Sequence, residues 1–133
     1  MTAAEDELAI RNLVANVSRF ADDGTVDDYV ALFTEDGEWL MPGAPRRGHA
    51  DIRAGSEARR AAGDTGPGSH TRHALTTITV VLDGDTATSE STWLFFTGTD
   101  TPPPLLTLMG VYKDLVVRTP GGWRVRRREI LIG

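Results

Sequence analysis

His73 is the side chain in this sequence best suited to proton chemistry at neutral pH. An imidazole titrates near neutrality and moves a proton in either direction. It can therefore take a proton from carbon beside a carbonyl, or give one to a departing hydroxyl. Taken alone, an inert hydrogen-bonded histidine at the start of a strand accounts for His73 at least as well. Two adjacent carboxylates, Asp22 and Asp23, close the first helical pattern, and a carboxylate on one imidazole nitrogen would orient such a histidine. Each of them also suits a simple turn into Gly24. His70, three residues before His73, suggests a His-x-x-His metal pair. Residues i and i+3 of a strand point to opposite faces, however, and no third ligand is marked. No metal site is expected, and His49 reads as a helix-start or surface residue. The chain has no cysteine, which excludes disulfides, thiolate zinc sites and cysteine nucleophiles.

A pocket lining follows from strand parity. Trp39 and Met41 share one face of a short strand, Trp93, Phe95 and Thr97 one face of a longer one, and Met109 and Val111 one face of the next. If these faces are concave, the cavity is aromatic, apolar and Met-rich, which suits a small hydrophobic molecule. Any one of these residues could instead pack helices against the sheet. Tyr29 is expected to pack within the second helix, leaving Tyr112 as the phenol available to donate a hydrogen bond. The arginines Arg124, Arg126 and Arg128, near the end, read as the solvated face of a strand.

Periodicity supplies the elements that would hold these groups. Ile10, Leu13, Val14, Val17, Phe20 and Ala21 recur at helical spacing, with Thr2 or an early acid as cap and Gly24 free to adopt a left-handed end. Thr25 caps a second helix carrying Tyr29, Val30, Leu32 and Phe33, with Asp28 in a capping-box position. A strand is expected over 38–41. A third helix over 50–62 has sparse apolar positions (Ile52, Ala54, Ala58, Ala61, Ala62), which place it over an edge or mouth. The glycine-rich linker 63–69 is expected to be mobile. Strands follow over 73–82, 86–97, 105–118 and 123–132, with hairpin signals at Asp83-Gly84-Asp85 and Thr119-Pro120-Gly121-Gly122. Helices first and antiparallel strands later give an α+β class.

The chain of 133 residues and 14.4 kDa reads as one domain over 1–133, with 40% hydrophobic and 25% charged residues. A net charge of −5 argues against a nucleic-acid partner. No apolar run approaches the roughly 20 residues of a membrane span, and the N-terminus lacks the pattern of a signal peptide. A cytoplasmic protein with no membrane partner is expected.

With these elements in order, the sequence resembles the NTF2-like superfamily, in its SnoaL-like and scytalone-dehydratase-like branch. The stretches that carry the resemblance run nearly the whole length. They are Phe20-Ala21-Asp22-Asp23-Gly24 through Phe33, Asp36-Gly37-Glu38-Trp39, Pro42-Gly43 with Arg47-Gly48 and Ile52, Arg72-His73, Asp83-Gly84-Asp85-Thr86-Ala87 and Gly121-Gly122-Trp123-Arg124-Val125. The resemblance implies a cone: a strongly curved mixed or antiparallel sheet wrapped around three N-terminal helices, with a pocket open at one end. It also implies a homodimer, with trimers known in the superfamily.

At the level of residues, the resemblance places a catalytic histidine at His73 and a carboxylate hydrogen-bonded to it at Asp22. Phe20 and Met41, with Val17 and Ala21, stand where the branch sets pocket tyrosines, a departure that leaves Tyr112 as the phenol. The implied function is a cofactor-independent lyase or isomerase, dehydratase-like, working by acid–base catalysis on a small hydrophobic carbonyl compound such as a polyketide, steroid or terpenoid intermediate. Alternatives on the same scaffold are a polyketide cyclase with Asp22 as base, an epoxide hydrolase recruiting Arg72, and a non-catalytic binding or dimerisation module. The discriminating observation is whether Asp22 and His73 meet in a hollow, largely apolar cavity.

Overall fold

The computed structural model describes residues 1–133. Its elements are α1 (Ala3–Asp22), α2 (Val26–Val30), β1 (Phe33–Leu40), β2 (Arg46–Arg47), α3 (His49–Ala61), β3 (Thr71–Asp83), β4 (Thr86–Thr97), β5 (Leu105–Thr119) and β6 (Gly122–Ile132). One six-stranded sheet has the order β2-β1-β6-β5-β4-β3. The β3–β4–β5–β6 meander is antiparallel, and β1 joins β6 in parallel, so the sheet is mixed. No helix is long and apolar enough to cross a membrane.

Helix α1 begins at a full capping box: the Thr2 hydroxyl accepts from the Glu5 amide while the Glu5 carboxylate accepts from the Thr2 amide. Its Ile10, Leu13, Val14 and Val17 stripe packs on the sheet with Val30, Phe33, Ile52, Ala87, Val116, Trp123 and Val125. A second cluster, Trp93, Tyr112 and Ile130, lies apart from this one. One half of the interior is filled by the first cluster, and the other half is hollow.

Four local expectations change. Gly24 does not take a left-handed conformation. A Cβ there would stand 2.8 Å from Phe20 Cα and Cβ, so the glycine serves close approach at the helix end. At that end the Phe20 carbonyl, which also accepts from the Gly24 amide at 3.1 Å, and the Gly24 carbonyl accept from the Arg60 guanidinium at 2.9 and 2.7 Å. Helix α2 stops at Val30, Ala31-Leu32 form a turn, and Phe33 opens β1. The Val125 amide donates to Leu32 and Phe33 pairs with Val125, a parallel contact that the four-residue spacing from Tyr29 to Phe33 does not reveal.

Helix α3 turns a different stripe inward. Ile52, Gly55 and Ser56 are buried, with Arg59 continuing the line, while Ala54, Ala58, Ala61 and Ala62 are exposed. The linker after it is a chain of turns, with the Asp64 amide bonded to the Arg59 carbonyl and the Ser69 hydroxyl to Gly66.

Strand β6 holds the fourth change. Trp123 and Val125 face inward, then the ladder shifts: Val116 pairs with Val125 and Leu115 with Arg127, so Arg126 is the extra residue of a bulge. Inward parity passes from odd to even positions. Arg128 and Ile130 are therefore buried, and Arg128, only 2% exposed, is not on the solvated face.

Candidate active site

The hollow half is a cavity of about 480 Å³ walled by all three helices and the concave side of the sheet. That volume lies within the range of small-molecule sites. Asp22, the last residue of α1, is 3% exposed and reaches across to the start of β3. Its Oδ1 lies 2.8 Å from His73 Nδ1, and its Oδ2 accepts from the His73 backbone amide at 2.9 Å. A carboxylate only accepts, so the Nδ1 proton is on the histidine and Nε2 carries the free lone pair. Nε2 has no protein partner, and the ring lines the cavity, packed 4.7 Å from Phe95. Asp23 points outward to Arg72 at 3.4 Å. Of the two adjacent carboxylates, the structure brings only Asp22 to His73.

Trp39, Met41, Trp93, Phe95 and Tyr112 all line the cavity. Phe20 and Met109 do not. Phe20 packs against the filled half of the core, folded over by the tight turn at Gly24. Met109 is 46% exposed on the convex side, because the inward positions of β5 are even: Gly110, Tyr112, Asp114 and Val116. Val111, on the same side as Met109, is likewise outside. Arg72 is exposed and away from the cavity, which takes the arginine from an epoxide-hydrolase arrangement built on it.

Several lining residues escaped the sequence reading: Ser18, Tyr29, Ser56, Arg59 and Arg128. Tyr29 both packs in the core and contributes to the wall. Arg128 Nε and Nη2 clasp Asp114 at 2.8 and 2.9 Å, and its guanidinium lies 3.9 Å from the centre of the Tyr112 ring. Burial alone would lower the Arg128 pKa, but the Asp114 carboxylate outweighs it and holds the group above its ordinary value. Tyr112 also stacks on Trp93, with centroids 5.6 Å apart. The phenol is thus fixed from two sides. Burial pushes it up to about 12, so it stays protonated and can donate. Ser18, beside that phenol, has a buried hydroxyl without a well-formed partner, and the Trp93 indole N–H is likewise unpartnered. No cluster of three or more His, Asp or Glu side chains is placed to hold a metal ion.

A family profile for the SnoaL-like domain matches residues 2–129. The chain belongs to the SnoaL-like family of the NTF2-like superfamily. An NTF2-like protein with a cystatin-like fold from Novosphingobium aromaticivorans is 31% identical, with a TM-score of 0.84 over 97% of this chain and 82% of that one. A candidate scytalone dehydratase from the same organism is 25% identical, with a TM-score of 0.74 over 94% and 82%. ActVI-ORFA from Streptomyces coelicolor, at 22% identity and a TM-score of 0.78 over 94% and 95%, shares the fold. No curated protein matches the chain.

Proposed function

We propose that the cavity is the active site of a cofactor-independent lyase or isomerase of dehydratase type, acting on a small hydrophobic carbonyl compound. One observation carries this reading: an Asp22–His73 pair joined at 2.8 Å on the wall of a hollow, mostly apolar cavity, with Nε2 left free. His73 Nε2 takes a proton from the carbon next to the substrate carbonyl. The electron pair of that C–H bond passes to the carbonyl oxygen as an enolate, which the Tyr112 hydroxyl stabilises by donating a hydrogen bond. As the carbonyl re-forms, imidazolium either protonates a hydroxyl leaving from the next carbon, releasing water, or returns its proton to another carbon. The first course is dehydration and the second isomerisation. Asp22 holds the tautomer and balances the imidazolium charge.

Two alternatives have less support. Asp22 as the direct base of a cyclase conflicts with both its oxygens being engaged by His73. A purely structural module has no need of the hollow, and the likeness to a candidate scytalone dehydratase favours chemistry. The experiment is deuterium incorporation into the α-carbon of bicyclic ketones such as 2-tetralone, followed by proton NMR in deuterated buffer. The wild type is expected to exchange well above the buffer rate, and His73→Ala to fall to that rate while keeping its fold. Undiminished exchange in His73→Ala would defeat the proposal.

A further inference from the structure

Arg59 is a cation on the cavity wall that the acid–base scheme leaves unused. It follows Ile52, Gly55 and Ser56 on the inward stripe of α3. Its guanidinium carbon lies over the Trp39 ring, 4.2 Å from its centre. Stacking on a ring face engages none of the five N–H donors of an arginine. Within the protein these donors have no hydrogen-bond acceptor and no ion-pair partner, and the residue lines the cavity.

The surroundings leave this charge unbalanced. A Cβ on Gly55 would meet Arg46 Nε at 3.0 Å and Arg59 Nη1 at 3.1 Å, so two guanidinium groups converge over the bare glycine backbone. Arg46 is offset by Asp51 at 3.1 Å, and Arg59 has no such carboxylate. Asp64, on the same wall, stands beyond ion-pairing distance. The charge of the other cavity arginine, Arg128, is balanced by Asp114 at 2.8 Å. Burial pushes the Arg59 pKa down, though a guanidinium stays charged in any protein setting. An incoming anion would relieve that cost of burial.

We infer that Arg59, stacked on Trp39, is an anion subsite, and that the natural ligand carries a carboxylate on its apolar body in addition to the group presented to His73. A planar carboxylate matches the two-donor fork of a guanidinium. The apolar remainder packs against Trp93, Phe95 and Met41. This inference rests on the cavity being the substrate site and names the class of substrate.

The test is isothermal titration of the wild type with benzoate, 2-naphthoate and 4-phenylbenzoate, each against its uncharged methyl ester. At least one acid is expected to bind roughly tenfold or more tightly than its ester, as a charge-assisted hydrogen bond implies. Arg59→Met should erase that preference and keep the affinity for the ester, while Arg59→Lys keeps part of it. Arg59→Gln gives the same reading should the methionine variant fail to fold. His73→Ala should keep the preference, because titration needs no turnover. A wild type that does not exchange the ketone, or a His73→Ala variant that still does, with the acid preference intact, therefore counts against the acid–base scheme and not against the subsite. Equal affinity for acid and ester, no binding across the panel, or a preference that survives in Arg59→Met overturns the assignment.

Discussion

The Asp22 carboxylate holds His73 at two points, accepting from the ring Nδ1–H at 2.8 Å and from the backbone amide at 2.9 Å. One contact orients the ring, and the other ties the start of β3 to the end of α1. An amide in place of the carboxylate offers one acceptor and one donor. Asp22→Asn should therefore keep one bond and favour the wrong histidine tautomer. Ketone exchange is expected to fall by roughly 10³ to 10⁴, as for other carboxylate-oriented imidazoles. Proton NMR of the α-carbon signal, beside a thermal melt, separates this from unfolding; unchanged exchange would mean that the pair is only structural.

The one polar neighbour of the Tyr112 hydroxyl is Ser18, with which it makes no well-formed hydrogen bond, so removing the hydroxyl breaks none. Tyr112→Phe should leave the urea midpoint nearly unchanged. Loss of a donor to a developing oxyanion costs about 10² to 10³ in turnover. The exchange rate at saturating ketone should drop by that order, with little change in half-saturation. A fall in stability with no change in rate would reassign the residue to packing.

How the sequence presented the site depended on the range of the interactions involved. The pairing of His73 with Asp22, 51 residues apart, was legible only through the family resemblance, while the shared faces of Trp39 with Met41 and of Trp93 with Phe95 follow from alternation along one strand, a local property. Arg128 did not follow, because the bulge at Arg126 depends on pairing with β5, and alternation read along β6 alone puts it in solvent. Met109 failed for a related reason: which side of β5 is concave is fixed by how the sheet curls. Arg59 sits on an inward stripe whose only large apolar member is Ile52, so counting apolar residues along α3 selected the exposed alanines instead. Phe20 was separated from the cavity by the turn at Gly24, whose role is close packing and not a positive φ.

Arg128 and Asp114 are a buried ion pair beneath the cavity, with side chains 2% and 0% exposed. Removing one partner strands a charge out of water. Arg128→Met or Asp114→Leu alone should cost about 3–5 kcal/mol in urea unfolding. The double variant should recover most of that loss, since a well-packed apolar pair is often neutral or better. Two single variants near wild-type stability would show that water reaches the pair.

Gly110 faces inward where β5 passes under Trp93. An added Cβ would lie 1.9 Å from the Leu131 carbonyl oxygen and 2.7 Å from Trp93 Cζ2. Neither a backbone carbonyl in a ladder nor a packed indole can give way cheaply. Gly110→Ala is expected to cost about 3 kcal/mol, at the upper end for overpacking, and to shift Trp93 in the cavity wall. Near-UV circular dichroism and urea unfolding read both effects, and an unperturbed variant would refute the close approach.

Asp6 ties α1 to the far end of the sheet. It accepts from Arg118 at 2.9 and 2.7 Å and from the Trp123 indole at 3.0 Å. Hydrogen bonds from Arg118, then from Trp123, hold its carboxyl down at about 2, against an ordinary 3.8. The folded pKa is the lower one, so between these values the unfolded chain binds more protons than the folded one. The contribution is fully present above the ordinary carboxylate range and is lost as pH falls through about 2. Asp6→Asn should therefore lower the urea midpoint at pH 6 and narrow its gap from wild type as pH drops from 4 towards 2. A gap that stayed constant across that range would show that Asp6 contributes through its shape and not through its charge.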